Sequence, residues 1–174
     1  YMGCRTRVIS NVCDPARQQC NSRGNLSFTS LNLPRIAIKA KGDIELFFDE
    51  LDRKLDLCID QLKERFEIQA RKHVYNFPFL MGQGVWLDSE KLAWTDEVRE
   101  VLKHGTLSVG FIGLAETLVA LTGKHHGESE HSQRLGLEIV ARMRARMDEE
   151  SQRTGLNFTL LATPAEGLSG RYIR

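Results

Sequence analysis

The sequence DIELFFDELDRKLDLCIDQLKERF, residues 43–66, has the clearest periodic pattern in the chain. Its apolar residues recur every three or four positions, which is the spacing of one face of an α-helix. They are Ile44, Phe47, Phe48, Leu51, Leu55, Cys58, Leu62 and Phe66. Asp43 can cap the first turn, because its carboxylate accepts hydrogen bonds from unpaired backbone N–H groups. The pattern predicts a long amphipathic helix that begins at Asp43.

Short segments with strand character lie on both sides of this helix. They are residues 26–30, 106–112 and 157–162. Residues 35–40 also alternate apolar and polar side chains, and Pro34 restricts that region to a strand edge or a strand end. A second long helix is predicted over 127–154, where Gly155 ends it. Strands separated by helices of this length indicate an α/β fold with some parallel pairing.

The remaining segments carry weaker structural signals. Residues 74–86 are aromatic, uncharged and rich in Gly and Pro, which predicts a buried loop or a short strand. Short helices are expected over 95–104 and 114–121. Residues 163–170 combine small, hydroxyl and turn-forming side chains, which is typical of a loop.

Composition excludes several classes of protein. The chain has 174 residues, of which 24 are Lys or Arg and 23 are Asp or Glu, so the net charge is 24 − 23 = +1. These values argue against a disordered tail, a collagen-like repeat and a highly charged nucleic-acid binder. Neither a long apolar run nor a signal peptide is visible, so we expect no membrane contact and a cytoplasmic location. The chain begins with Tyr1, and we expect a piece of a larger protein.

Two polar positions are candidates for chemistry. Cys4 is followed by Arg5 and Arg7, which would favour a thiolate, although an ordinary surface or buried thiol fits the same residues. Asn25 follows Gly24 and offers both a donor and an acceptor, so it could bind a carboxylate or a ribose hydroxyl. The alternative is a turn residue that starts a strand.

Three further features resemble functional sites. The loop at 163–170 can present backbone N–H groups to phosphate but lacks a P-loop pattern, so an ordinary turn fits equally well. His125 and His126 are adjacent and lack helical metal-ligand spacing, which favours a helix-start or interface pair and predicts no metal site. The cysteines beyond Cys4 fit no zinc or iron–sulfur pattern, and we interpret them as structural or incidental. They are Cys13, Cys20 and Cys58, of which Cys58 is expected in the core.

Several motifs occur together in a fixed order. They are MGCRTRV at 2–8, GNLSFT at 24–29, NLP at 32–34, NFPFLMGQGVW at 76–86, HGTLSVGFIGLAE at 104–116, GKHHG at 123–127 and NFTLLATPAEGLSGR at 157–171. In this combination the chain resembles the catalytic core of anaerobic, class III ribonucleoside-triphosphate reductases, which are glycyl radical enzymes. The resemblance covers essentially the whole chain.

The resemblance implies a fold and a domain assignment. The family fold is a ten-stranded α/β barrel that encloses a finger loop with a cysteine at its tip. Residues 1–174 would form part of this catalytic barrel domain. The N-terminal regulatory cone and the C-terminal glycyl radical domain have no counterpart in this sequence, and neither does the family's zinc site.

The resemblance also implies roles for individual residues. Cys4 would become a thiyl radical and abstract the ribose 3′-hydrogen, which demotes the thiolate interpretation of its neighbouring arginines. Asn25 would lie beside the substrate ribose, as in the formate-using branch of the family. The substrate-phosphate segment would contain Thr163, Pro164, Ala165, Gly167 and Ser169.

Cofactors and partners follow from the same resemblance. They are a glycyl radical outside this segment, formate as reductant, and ATP/dNTP effectors and zinc in absent parts of the protein. Expected partners are a ribonucleoside triphosphate, a radical-SAM activating enzyme and a second copy in a homodimer, with no membrane and no direct nucleic-acid binding. The isolated fragment is expected to be inactive. The alternatives are another glycyl radical enzyme or a nucleotide-binding module without catalysis.

Overall fold

The computed structural model describes residues 8, 10–17 and 19–169, with the backbone alone for Glu166 and Ser169. The strands are β1 (Asn25–Asn32), β2 (Thr106–Ile112) and β3 (Asn157–Ala162). The α-helices are α1 (Leu33–Ala40), α2 (Ile44–Ala70), α3 (Arg99–Leu102), α4 (Leu114–Thr122), α5 (Glu130–Thr154) and α6 (Glu166–Ser169). Short 3₁₀ turns lie at Val74–Asn76 and Ser89–Lys91. Helices therefore separate successive strands, as expected of an α/β fold.

The strands within the described residues form one parallel sheet in the order β1-β2-β3. At the start of β2, the amide of Thr106 donates to the carbonyl of Gly24, which directly precedes β1 (2.9 Å). At the other end, the amide of Thr163, which directly follows β3, donates to the carbonyl of Phe111 in β2 (3.0 Å). The central strand β2 is buried along its first five residues. This confirms the α/β prediction with parallel pairing.

The two long helices, α2 and α5, bury the apolar faces that the sequence predicts. Asp43 Oδ1 accepts from the amide of Leu46 (3.0 Å), so the predicted cap of α2 is confirmed. Buried residues follow the helical spacing on both helices: Phe47, Leu51, Leu55, Leu62 and Phe66 on α2, and Leu135, Ile139, Met143 and Met147 on α5. Cys58 is only half-buried, and Ile59 beside it is buried instead. Gly155 ends α5 with φ +69°, a backbone conformation that favours glycine.

Residues 35–40 are helical, so the extended reading of this segment was wrong. The side chain of Asn32 accepts from the amide of Arg35 (3.1 Å), and Pro34 lies in the first turn, where it needs no N–H partner. Lys41 ends α1 in the left-handed conformation with φ +52°. The buried residues follow helical spacing, whereas Ile38 is 67% exposed. Short apolar alternation did not distinguish a strand from a helix that packs against α4.

Residues 74–86 form a loop, one of the two expected alternatives, but most of the segment is exposed, so the expected burial was wrong. A 3₁₀ turn at Val74–Asn76 leads into further turns, and Phe79 is 62% exposed. Trp86 is buried and donates from Nε1 to the carbonyl of Val101 (2.7 Å). A Cβ on Gly82 would lie 2.5 Å from the Pro78 carbonyl oxygen, so the turn itself requires glycine. The aromatic content reflects one anchored indole, the half-buried Phe77 and two exposed rings, Tyr75 and Phe79.

The shorter elements follow the predicted order. The helix expected at 95–104 is reduced to the single turn of α3, and α4 ends before Gly123 as predicted. The loop expected at 163–170 becomes helical at α6. No helix of the described part of the chain is long and apolar enough to cross a membrane.

The chain divides into two compact units. Among the described residues, the first consists of those between 8 and 28 together with 60–108 and 148–159. The second consists of residues 29–59, 109–147 and 160–169. The predicted site residues are therefore divided: Asn25 belongs to the first unit, and the loop that begins at Thr163 belongs to the second.

Candidate active site

Cys4, Arg5 and Arg7 lie outside the residues that the structure describes. The described segment that follows them belongs to the first unit and is held by a buried arginine. Arg23 donates from Nε to the carbonyl of His104 (2.8 Å), from Nη1 to that of Gln19 (3.0 Å) and from Nη2 to that of Ser10 (2.6 Å). Burial lowers the pKa of Arg23, because charge is costly away from water. One guanidinium thus fixes both ends of the segment between residues 10 and 19.

A buried asparagine anchors the same segment to the strands. Asn157, the first residue of β3, accepts at Oδ1 from the amide of Val12 (2.8 Å). Its Nδ2 lies 3.1 Å from the carbonyl of Lys103, 3.2 Å from that of Gly105 and 3.3 Å from Asn11 Oδ1. These contacts join residues 11–12, the turn before β2 and the start of β3. A buried amide satisfied in this way holds neighbouring backbone segments in one arrangement.

Asn25 is the first residue of β1 and lies beside the hydroxyl of Ser108, which in turn lies beside that of Thr159, all in the first unit. Ser108 Oγ is 3.5 Å from Asn25 Oδ1, a long hydrogen bond, and 3.3 Å from Thr159 Oγ1. Ser108 is fully buried, so its hydroxyl needs an internal partner. Asn25, Ser108 and Thr159 thus form a row of polar, uncharged side chains across β1, β2 and β3. Amide and hydroxyl groups of this kind can bind a hydroxyl or a small polar molecule without adding charge.

Thr163 begins the loop after β3 and is positioned within the second unit. Its Oγ1 is 2.7 Å from Ser30 Oγ on β1. Gly110 of β2 provides the space between them, because a Cβ there would lie 2.0 Å from Thr163 Oγ1 and 2.6 Å from Ser30 Oγ. A hydroxyl pair and one glycine therefore fix the start of the predicted phosphate segment.

The rest of this loop is short and partly exposed. Pro164 and Gly167 are exposed and Ala165 is half-buried, while Ser169 is described by its backbone only, at the end of α6. The amide of Leu168 donates to the carbonyl of Ala165 (2.9 Å), which closes the turn. A Cβ at Gly167 would meet no neighbouring atom within 4 Å. Small residues leave the backbone of this loop accessible.

The histidine pair forms a turn before α5. His125 Nδ1 accepts from the amide of Gly127 (3.0 Å), and the amide of His125 donates to Glu128 Oε2 (3.0 Å). The rings of His125 and His126 meet edge to face with centroids 5.7 Å apart. Among the residues with described positions, no three His, Cys, Asp or Glu side chains form a metal-binding group.

Sequence reasoning missed the hydroxyl partners of both candidate residues. Ser108 and Thr159 are the third residues of β2 and β3, so equivalent register positions in parallel strands were an available signal. Ser30 carried no comparable signal, because its pairing with Thr163 depends on Gly110 and on the strand order.

Comparison with known proteins gives consistent findings. The family model for anaerobic ribonucleoside-triphosphate reductase matches residues 1–174. Curated proteins of that name from Salmonella typhimurium and Escherichia coli are each 36% identical over 176 residues, which cover 99% of this chain and 24% of each relative. The protein of that name from Enterobacteria phage T4 is 29% identical over 179 residues, or 28% of its length. The chain spans about a quarter of the length of these relatives.

Solved structures show the same fold. A crystal structure of the anaerobic ribonucleotide reductase from Thermotoga maritima, with citrate in its active site, has a TM-score of 0.61 at 18% identity. That match covers 87% of this chain and 27% of that chain. A second structure of an anaerobic ribonucleotide reductase has a TM-score of 0.61 at 19% identity and covers 87% of this chain and 23% of its own.

Proposed function

Since the chain belongs to the anaerobic ribonucleoside-triphosphate reductase family, we propose that it is part of an enzyme that reduces ribonucleoside triphosphates to deoxyribonucleoside triphosphates for DNA synthesis. The observation that carries this proposal is the family match over all of residues 1–174. The parallel sheet supports the assignment of these residues to a ten-stranded α/β barrel with a finger loop. In this proposal residues 1–174 are one partial barrel domain of the full-length protein.

Cys4 is the proposed radical thiol that takes the ribose 3′-hydrogen. The S–H and ribose C–H bonds are close in strength, so transfer of a hydrogen atom to sulfur is nearly reversible. This step requires a fixed distance between sulfur and carbon. Arg23 and Asn157 support the proposal, because they anchor the segment that follows Cys4 to the sheet.

Asn25 is proposed to hold the ribose or the reductant beside it. The hydroxyl of Ser108, which itself lies 3.3 Å from Thr159 Oγ1, can donate to the amide oxygen of Asn25 and orient it without adding charge. The side chains of Asn25, Ser108 and Thr159 suit a step in which the substrate loses its 2′-hydroxyl, because they offer hydrogen bonds and contribute no charge of their own.

The loop from Thr163 to Ser169 is proposed to bind the substrate phosphates. Its small residues and accessible backbone suit contact between amide N–H groups and phosphate oxygens. The members of this set are Thr163, Pro164, Ala165, Gly167 and Ser169. The hydroxyl pair of Ser30 and Thr163 supports the role, because it fixes where the loop begins.

Groups outside this segment complete the proposed chemistry. A glycyl radical elsewhere in the full-length protein supplies the oxidation that makes Cys4 reactive, and formate supplies the reducing equivalents. A radical-SAM enzyme is the proposed activating partner, and the full-length protein is proposed to form a homodimer with ATP/dNTP effector sites and zinc in other domains.

Replacement of Cys4 in the full-length, anaerobically activated protein tests the proposal. In Cys4→Ser the glycyl radical signal should still form, as measured by electron paramagnetic resonance, while deoxynucleotide production should be abolished. Cys20→Ser is the matched control, because Cys20 is an exposed thiol with no assigned role. Retained turnover in Cys4→Ser would remove Cys4 from the mechanism.

Asn25→Ala provides a second test. Turnover should fall with an unchanged circular dichroism spectrum, and unchanged kinetics would exclude Asn25 from the site. The isolated 174-residue fragment should make no deoxynucleotide. A full-length protein that forms the radical and does not reduce nucleotides would favour another glycyl radical enzyme, and one that binds nucleotides without any radical would favour a non-catalytic module.

A further inference from the structure

A thiol, an imidazole and a carboxylate lie in series in the first unit, and the proposed reductase chemistry uses none of them. Cys13 Sγ is 3.3 Å from His104 Nδ1. On the opposite side of the ring, His104 Nε2 is 3.2 Å from Asp88 Oδ2. A nucleophile within hydrogen-bond reach of a base that a third group orients is the general arrangement of an assisted nucleophile.

The carboxylate at the end of this series is ionised and fixed. Arg17 donates from Nη1 to Asp88 Oδ1 (2.8 Å) and from Nη2 to Asp88 Oδ2 (2.6 Å), and Lys91 donates to Oδ1 (2.8 Å). Hydrogen bonds from Arg17 and Lys91 hold the pKa of Asp88 well below its usual range. Asp88 can therefore orient His104 and stabilise an imidazolium when one forms.

The imidazole is neutral, with its acceptor nitrogen toward the thiol. His104 is 3% exposed, and burial lowers its pKa, an effect that nearby Arg17 and Arg23 reinforce and Asp88 opposes. Asn11 Nδ2 lies 3.2 Å from His104 Nδ1 and can only donate, so Nδ1 is the acceptor and Nε2 carries the proton that faces Asp88. A neutral ring in this tautomer can accept a proton from Cys13.

The thiol is protonated at rest and lines a cavity. Burial raises the pKa of Cys13, and its Sγ can also donate to Asn11 Oδ1 (3.0 Å) or the carbonyl of Lys103 (3.6 Å). Cys13 is half-buried and borders a cavity of about 260 Å³, together with His104 and Asp88. Deprotonation of Cys13 therefore has to accompany its attack on a molecule that enters this cavity.

The charges around the cavity balance. Its lining includes three cations and three anions: Arg17, Lys91 and Lys103, and Asp14, Asp88 and Glu100. Such a lining gives no net attraction to an anionic disulfide or a charged electrophile. It favours a small uncharged reactant.

We propose that Cys13, His104 and Asp88 form a base-assisted thiol site that reacts with small hydroperoxides. Sγ bonds to one peroxide oxygen while the O–O bond breaks. The thiol proton passes to His104 Nδ1 and then to the departing oxygen, which leaves as water or, from an organic hydroperoxide, as an alcohol. Cys13 is oxidised by two electrons to a sulfenic acid and the hydroperoxide is reduced by two electrons.

The test uses the full-length protein, purified anaerobically and given a brief pulse of hydrogen peroxide. Dimedone traps sulfenic acid, and mass spectrometry quantifies the label at each cysteine. Cys20 in the same molecule is the internal control, because it is more exposed than Cys13. Cys13 should be labelled at least about tenfold faster than Cys20, because general base assistance typically contributes about 10²–10⁴-fold. Equal or slower labelling of Cys13 would overturn the proposal.

Two matched variants test the role of the carboxylate. Asp88→Asn removes the charge next to His104 and should slow labelling of Cys13 about tenfold or more, with Cys20 unchanged. Asp60→Asn removes an exposed carboxylate that pairs with Lys63 on α2 (2.8 Å), outside the cavity, and should leave labelling unchanged. Equal rates at Cys13 in both folded variants would overturn the proposal.

The pH profile of the unmodified protein gives a test that does not depend on folding of a variant. Proton transfer to neutral His104 predicts a Cys13 rate that varies little between about pH 7 and 8, whereas attack by free thiolate predicts about a tenfold rise per pH unit. The steeper profile would overturn the proposal. Labelling is read independently of deoxynucleotide production, so this outcome does not depend on the proposed reductase function.

Discussion

Gly110→Ala is the sharpest structural test of the proposed phosphate loop. Gly110 lies on the central strand between Ser30 and Thr163, whose hydroxyls are 2.7 Å apart. A Cβ at residue 110 would lie 2.0 Å from Thr163 Oγ1 and 2.6 Å from Ser30 Oγ. Neither contact is sterically possible, so both hydroxyls have to rotate or the strands have to separate.

The expected cost combines three terms. Loss of the hydrogen bond between the hydroxyls costs about 1 kcal/mol. Insertion of a methyl group into a packed position costs about 1–3 kcal/mol. Alanine regains about 0.5–1 kcal/mol relative to glycine within a strand, because the unfolded chain loses less entropy. We expect a net loss of about 1–3 kcal/mol, confined to the second unit.

Hydrogen–deuterium exchange of the full-length protein measures this local loss. Amides in 109–112 and 160–163 should exchange about tenfold faster or more in Gly110→Ala, since about 1.4 kcal/mol corresponds to a factor of ten. The triple variant with Ser30→Ala and Thr163→Ala should recover slower exchange, because Ser30 Cβ would then lie at an ordinary 3.4 Å. Unchanged exchange in the single variant, or no recovery in the triple variant, would refute the steric argument.

Three further predictions concern packing, buried polar groups and pH. Ile36→Ala should lower the free energy of unfolding by about 2–4 kcal/mol and Ile38→Ala by less than about 0.5 kcal/mol, since only Ile36 is buried. Chemical denaturation measures both values, and equal effects would indicate that the segment is a strand edge and not a helix. Asn157→Ala should cost about 3 kcal/mol or more, because two backbone carbonyls lose a buried donor, and exchange at residues 103–106 should rise accordingly. Asp88→Asn should destabilise at neutral pH. Folding lowers the pKa of the Asp88 carboxyl, so the stability that its charge contributes is present above the unfolded pKa of about 4 and is lost as pH falls through the folded value. Denaturation at several pH values should therefore show the unfolding free energies of the unmodified protein and of Asp88→Asn becoming equal in acid.

The long helices were predictable because their signal repeats over many turns. The apolar face of α2 and the glycine after α5 each agree with several independent signals for a helix, so one misleading residue could not reverse the prediction. Residues 35–40 offered only six positions, in which Ile36 and Ile38 imitated a strand. The helix depends on the Asn32 cap and on packing against α4, and the second of these is not local in sequence.

The candidate site was predictable only in part. Family motifs indicated Asn25 and Thr163, but the partners of these residues come from strands more than 50 residues away. The matching strand positions of Ser108 and Thr159 were readable from the sequence, but the strand order that brings Ser108 next to Asn25 was not. The same limit applies to Cys13, which looked incidental in the sequence because His104 and Asp88 lie 91 and 75 positions further along the chain.

Arg23 has a consequence for how this protein tolerates insertions and deletions. It binds the carbonyls of Ser10 and Gln19 at the two ends of one loop, and it lies two residues before the first residue of β1. A change in length between those two carbonyls can bulge outward while both ends stay in place, so it need not alter the register of β1. A change between Gln19 and Arg23 has no such buffer, because those four residues set the reach of the guanidinium. Length variation among related chains should therefore avoid residues 20–23, and between the two carbonyls it should spare Asn11 and Val12, which Asn157 holds.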